Sequence, residues 1–392
     1  MADMNHKRVE QQLRNFRRTV DAYDYREPFA RFLTKFFKEN RQMGSSDRRM
    51  TSRLCYNYFR LGDAAADLSI DERLVIAEFL CEVESPFVSL YKPSWDMHIK
   101  ESVANKLTLV EQQGLNVTSG LFPFAEHLSP HIDHAAFAVS HLIQPDLFIR
   151  VKSDAQNRVQ SALDTQNIPF EVVDTQTYSL PNGSKLQELK KVDGLYEVQD
   201  LSSQHSLDQA IVRAGERWWD ACAASGGKSL MLVDRHPDIE LVVSDVRLSI
   251  LRNLDERFEK ANVKTTYTKR VLDLTKDVSS VMGRDSFDGI ILDAPCTGSG
   301  TWGRTPEMKH AFSATTIQEF ATLQRCIATN VLPYLKTGGQ LIYITCSVFE
   351  AENEGVLNFL ESERGMKVET QGVIKGYDKK ADSMFAARLR KI

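Results

Sequence analysis

The sequence predicts an α/β protein in three parts: an all-α N-terminal region, a small α+β unit, and a larger domain built on a parallel sheet with helices on both faces. Three observations predict it. Apolar residues recur at helical spacing through about the first 140 positions, four short strand-like segments follow, and strand and helix patterns alternate beyond residue 206. The boundaries fall at 1–142, 143–205 and 206–392. A chain of 392 residues with 42% hydrophobic content is long enough for two or three cores.

In the N-terminal region Val9, Leu13, Phe16 and Val20 share one helical face, as do Phe29, Phe32, Leu33, Phe36 and Phe37. Ser45-Ser46-Asp47 supplies N-cap chemistry ahead of Met50, Leu54 and Tyr58, with Arg48, Arg49, Arg53 and Arg60 around them, so a basic amphipathic helix is expected. Residues 1–60 hold 14 Lys/Arg against 7 Asp/Glu, and the next thirty reverse the sign. A formal net charge of -4 excludes a protein that coats nucleic acid by bulk attraction, which leaves a local basic patch or two solvated helical faces. His127, His131 and His134 stand at i, i+4 and i+7, but Pro130 interrupts them and no Cys or Glu partner is near; they read as surface or packing histidines, and no metal is expected. The six cysteines lack C-x-x-C spacing, the start of the chain has no apolar signal core, and no run is long enough to cross a bilayer, so a reducing cytoplasm is the expected compartment.

The α+β unit is read from strand candidates at 147–151, 169–173, 176–180 and 194–199, with Pro181-Asn182-Gly183 as a turn. In the last domain the strands are expected at Trp218–Cys222, Leu241–Ser244, Phe287–Asp293, Gln340–Cys346 and Met384–Leu389. Ligands of such sheets bind beyond the carboxyl ends of the strands, and the chemically distinctive residues cluster there.

The first strand runs into Asp220-Ala221-Cys222-Ala223-Ala224-Ser225-Gly226-Gly227-Lys228, a loop of small residues through which backbone N–H groups approach a ligand closely. It is neither a Walker loop, which needs glycine at Cys222, nor G-x-G-x-x-G, so it points to a nucleoside rather than a pyrophosphate. Asp245, about 20 residues beyond the glycines, suits a ribose diol, and Asp273 suits an adenine amino group. Taken singly each acid reads as a turn residue; their order along the chain is what points to an adenosine ligand. Two cysteines stand at strand ends, Cys296 in Asp293-Ala294-Pro295-Cys296-Thr297-Gly298-Ser299-Gly300 and Cys346 in Thr345-Cys346-Ser347. Alone, each would pass for a buried, inert thiol; a helix expected over Glu352 to Leu360 places its positive end where it favours a thiolate at Cys346.

The Asp293-Ala294-Pro295-Cys296-x-Gly-x-Gly and Thr345-Cys346-Ser347 motifs, with Glu352-Asn353-Glu354 downstream, resemble those of the Sun/Nop (RsmB-like) family of S-adenosylmethionine-dependent RNA cytosine-carbon-5 methyltransferases. The resemblance extends to Asp220-x-Cys222-Ala223-Ala224-x-Gly226-Gly227-Lys228, to Val198-Gln199-Asp200 and to Met384–Leu389, and covers about 145–392. It implies a Rossmann-like catalytic domain behind an RRM-like subdomain, with Cys346 as nucleophile, Cys296 as the release cysteine, and residues 222–228 with Asp245, Asp273 and Asp293 as cofactor contacts. The N-terminal helices are similar, more weakly, to a NusB-type RNA-binding domain. Cytosine carbon 5 is a poor nucleophile until sulfur adds to carbon 6, and an acid such as Asp293 near ring nitrogen 3 stabilises the adduct. The implied substrate is bacterial 16S ribosomal RNA, ahead of transfer RNA, with no membrane and no obligate protein partner. The rival from another class is an RNA-binding ribosome-assembly factor without turnover, against which the intact Cys346, Cys296 and Asp293 argue; a DNA methyltransferase would place its nucleophile in the Pro-Cys motif. Three positions depart from the family pattern: Ser225 in place of proline, Lys152 in place of asparagine, and Thr305 in place of the Asn-Pro pair. Serine is expected to loosen the cofactor loop.

Overall fold

A computed structural model describes residues 2–392, with side chains from His6 onward. The chain divides into two compact units. One comprises residues up to Glu126, with Asp133–Gln144 and Thr301–Ser313; the other comprises His127–Ile132, Pro145–Gly300 and Ala314–Ile392. No helix among the described residues is long and apolar enough to cross a membrane.

The first unit is helical throughout its regular elements, and Val9, Leu13, Phe16, Phe29, Leu33, Leu54, Phe59 and Leu74 form its core. Helix Ile70–Cys81 opens with a capping box in which the Ser69 hydroxyl accepts from the Glu72 N–H and the Glu72 carboxylate accepts from the Ser69 N–H. Helix Ser45–Arg60 begins one residue earlier than the sequence suggested: Gly44 takes the cap position, and Ser45-Ser46-Asp47 forms the first turn without capping. The three histidines fall in a 3-10 turn, a loop and the first residue of helix His134–Ser140, so the helical alignment their spacing allowed is not formed.

The segment Thr301–Ser313, which the sequence placed in the 206–392 domain, belongs to this helical unit. Trp302 packs against Phe122, Phe124 and Phe312. Fully buried Arg60 donates to the carbonyls of Gly303 and His141, at 2.9 Å each. Lys309 donates to the carbonyls of Arg60 and Leu121, and the Glu307 carboxylate accepts from the Phe29 N–H. Burial, with Arg60 beside it, pulls the Lys309 ammonium down to about 7.

The second unit contains two sheets. The smaller consists of β1 (Leu147–Val151), β2 (Glu171–Val172), β3 (Thr177–Leu180) and β4 (Tyr196–Val198), antiparallel in the order β2-β3-β1-β4. Helix Gln156–Thr165 covers one face through Val159 and Leu163. The larger consists of β5 (Arg217–Asp220), β6 (Glu240–Asp245), β7 (Tyr267–Val271), β8 (Phe287–Asp293), β9 (Leu335–Thr345), β10 (Met366–Ile374) and β11 (Met384–Lys391), in the order β10-β11-β9-β8-β5-β6-β7. From β9 to β7 the strands are parallel; β11 and β10 run antiparallel at one edge, where a wholly parallel sheet had been expected.

Period-two alternation divides the core of this sheet into two faces. Trp219, Val242, Ile290, Leu341 and Tyr343 pack toward helices Thr315–Val331 and Glu354–Arg364, whereas Trp218, Leu241, Val243, Ile291 and Ile342 pack toward Gly227–Arg235 and Leu248–Lys260. Each such fully buried side chain contributes about 1.5–3 kcal/mol. Because β5 pairs with both β6 and β8, the strand order reverses there, and a crevice opens at the carboxyl ends of those strands.

Candidate active site

Three adjacent strands, β8, β5 and β6, end in Asp293, Asp220 and Asp245. Beyond them lies a cavity of about 510 Å³ lined by Cys222, Ala224, Asp245, Asp273, Asp293, Cys296 and Cys346 among the residues expected at the site. Arg247, Leu272, Leu274, Leu323 and Ile327 also line it and were not anticipated; they come from helix Thr315–Val331 and the loops after β6 and β7. Ala223, Ser225, Gly226, Gly227 and Lys228, also expected at the cofactor, do not line this cavity.

The loop after β5 turns sharply, with Ala224 at φ +47° and Gly226 at φ +82°. A Cβ on Gly226 would lie 2.7 Å from Leu254 Cγ, so glycine is required there for space as well as for its backbone. The Ala224 N–H donates to Asp245 at 3.2 Å, and Arg247 holds the other carboxylate oxygen through its N–H and Nε, at 2.9 and 3.1 Å. Arg257 donates to the Ser225 hydroxyl and carbonyl at 2.9 and 3.0 Å, and the same guanidinium pairs with Glu197 at 2.6 Å. Lys152, the second departure, donates to the Ala261 carbonyl.

Lys228, from the first turn of helix Gly227–Arg235, pairs with Asp293 at 2.7 Å. Burial works to lower this ammonium, but Asp293, reinforced by Cys346, outweighs it and leaves Lys228 above its ordinary value. Asp220 is fully buried, donated to by the Ser229 hydroxyl at 2.6 Å, and burial pushes its carboxyl up to about 7. Asp273 is turned toward its own loop, where the Thr275 hydroxyl and Lys276 hold it below the usual range.

The two cysteines meet. Cys296 Sγ and Cys346 Sγ are 3.2 Å apart, on the same cavity wall as Asp245 and Asp293. The hydrogen bond to Cys346 and burial both push the Cys296 thiol up. The helix downstream of Cys346 starts at Glu354 after a 3-10 turn, later than the sequence suggested, with Asn353 at its head.

The strand order is that of a Rossmann-like α/β domain, and its crevice carries acids and paired thiols. The family model for 16S rRNA methyltransferase RsmB/F matches residues 211–389 of this chain. Ribosomal RNA small subunit methyltransferase B of Escherichia coli (strain K12) is 35% identical over 161 residues, which is 41% of this chain and 37% of that protein. The protein of the same name from Shewanella oneidensis is 32% identical over 180 residues, 46% of this chain and 41% of that one. The chain thus spans about two fifths of the length of the curated relatives it matches. Among solved structures, PH0851 superposes with a TM-score of 0.68 at 19% identity, over 93% of this chain and 95% of that one. A methyltransferase homologue from Pyrococcus horikoshii superposes with a TM-score of 0.57 at 21% identity, over 73% and 98%. At such identities these two establish the fold alone.

Proposed function

We propose that this protein is an S-adenosylmethionine-dependent RNA cytosine-carbon-5 methyltransferase, with small-subunit ribosomal RNA as its substrate and Cys346 as its nucleophile. The observation that carries this reading is the 3.2 Å approach of Cys296 and Cys346 in one cavity with Asp245 and Asp293. The preference for ribosomal RNA rests on the names of the relatives. The cavity suits the cofactor: Asp245 is fixed as an acceptor at the end of β6, where a ribose diol would meet it, and Leu272, Leu274 and Ile327 offer an apolar wall for a purine. When bound, the cofactor supplies the methyl group as an electrophile.

Each protein group then has a task. Cys346 Sγ bonds to carbon 6 of the base, while Cys296, pushed up by its neighbour, holds the proton between the sulfurs. Once Cys346 is a neutral thioether and carbon 5 carries the methyl group, the largest cause of that upward push is gone; Cys296 gives its proton to water in the cavity, and its thiolate takes the proton on carbon 5. The carbon–sulfur bond then breaks, which restores both the ring and Cys346. Asp293, oriented by Lys228, faces the exocyclic amine and ring nitrogen 3. The test is incubation of wild type and Cys346→Ala with labelled cofactor and ribosomal RNA from cells lacking the protein. Label in carbon-5-methylated cytosine with wild type alone is expected; equal transfer by the variant would refute the assignment.

A further inference from the structure

One fully buried carboxylate, outside the cavity, touches the chain beside both cysteines. Glu352 Oε1 accepts from the hydroxyls of Thr297 and Ser347, each at 2.6 Å. Its Oε2 accepts from the Thr297 N–H and from Gln324 Nε2, each at 2.9 Å. The same Gln324 nitrogen donates to the Pro295 carbonyl at 3.0 Å, so both neighbours of Cys296 are held. Asn353, next in sequence, treats Cys346 alike: its Oδ1 accepts from the Thr345 hydroxyl at 2.6 Å, and its Nδ2 donates to the Ser347 carbonyl at 3.0 Å.

We infer that Glu352 is a positioning residue that sets the separation of the two sulfurs, by binding the residue immediately after each cysteine. The inference rests on the two-thiol reading above. Its physical basis is the chemistry of the acceptor. Four donors converge on Glu352, all of them uncharged, and only an ionised carboxylate accepts at both ends; an amide would turn an N–H toward the Thr297 N–H or a hydroxyl. Stability alone does not call for an anion here, because well-packed apolar residues replace buried charges at little cost. Burial pushes the Glu352 carboxyl up, and the bonds from Ser347 and Thr297 draw it back. What the carboxylate adds is geometry. Carbon 5 and carbon 6 are adjacent ring atoms, so the sulfur that attacks one and the sulfur that deprotonates the other must stay close, and a misplacement of about 1 Å costs on the order of a hundredfold in rate.

The test reads the sulfur separation directly. Diamide takes two hydrogens from neighbouring thiols and leaves a disulfide, so the rate at which the Cys296 and Cys346 peptides become cross-linked, followed by mass spectrometry, reports their proximity without any methyl transfer. Wild type, Glu352→Gln, Ser347→Ala and Thr297→Val are compared, with folding checked by circular dichroism and cofactor affinity by calorimetry. Glu352→Gln is expected to cross-link and to turn over at least about tenfold more slowly with cofactor Kd unchanged, and the two hydroxyl deletions to fall between. A folded Glu352→Gln with wild-type cross-linking and kcat overturns the inference. If that variant does not fold, wild-type cross-linking in both hydroxyl deletions overturns it instead. Slowed cross-linking in a protein whose wild type methylates no RNA would support the positioning role and sink the catalytic reading.

Discussion

Replacing Asp220 by asparagine is expected to stabilise the second unit increasingly as pH rises. Asp220 ends β5, is 0% exposed, and has one oxygen without a hydrogen-bond partner among the described residues. Burial, assisted by Asp293, lifts its carboxyl from 3.8 to about 7, against the bond from Ser229. A group raised on folding favours the folded state below its unfolded pKa, and that advantage is lost as pH climbs through the folded value. The loss amounts to about 1.7 kcal/mol at pH 5 and about 4 kcal/mol at pH 8, taking about 1.36 kcal/mol per unit. Asparagine keeps an acceptor for Ser229 and never ionises. The gap between variant and wild type therefore widens by about 2.5 kcal/mol from pH 5 to pH 8. Trp218 and Trp219 immediately precede Asp220 and are fully buried, so their fluorescence in urea titrations follows this region. Equal denaturant slopes for the two proteins are required for the comparison. A gap constant to within about 0.5 kcal/mol across that pH range would show that Asp220 is not charged against resistance, and the argument from burial would be wrong.

Cys296→Ala should accumulate a covalent RNA complex, seen as a nuclease-sensitive band on a denaturing gel, because sulfur adds to the base but release stalls; no band counts against the release role. Gly300→Ala should destabilise by several kcal/mol in thermal melts, since a Cβ there would lie 2.0 Å from the Ser383 carbonyl oxygen and 3.0 Å from that of Cys346; a loss below about 1 kcal/mol would mean the backbone gives way easily. Lys309 is lowered on folding from 10.5 to about 7, so wild type should gain stability between pH 7 and pH 10, a gain Lys309→Met should lack; parallel pH profiles for the two would contradict it.

Much of the seven-stranded sheet was legible because its strands are apolar runs with polar, reactive residues at their ends. Phe287–Asp293 is found with the bounds the sequence suggested, and Cys296 and Cys346, fifty residues apart in the chain, meet as strand-end logic required. Two strands escaped notice. Tyr267–Val271 carries Thr268, Lys269 and Arg270 at the sheet edge, and Met366–Ile374 is half exposed with Glu369 and Gln371 inside it, so neither shows an apolar run. The placement of Thr301–Ser313 rests on backbone carbonyls that accept from Arg60 and Lys309, a kind of contact with no signature in residue identity. Lys228 was read as part of a cofactor loop, but its partner Asp293 lies 65 positions away and only the folded sheet brings them together. Glu352 was visible as a motif residue, yet its role depends on four donors drawn from three other segments.

The three strand-end carboxylates are balanced in three different ways: Asp293 by Lys228, Asp245 by Arg247, and Asp220 by a proton it holds until about neutrality. Ionisation of Asp220 therefore adds one negative charge at the strand ends beneath the crevice. On the proposed reading the donor is a sulfonium cation and its demethylated remnant is not, so this added charge would favour the incoming molecule over the outgoing one as pH rises.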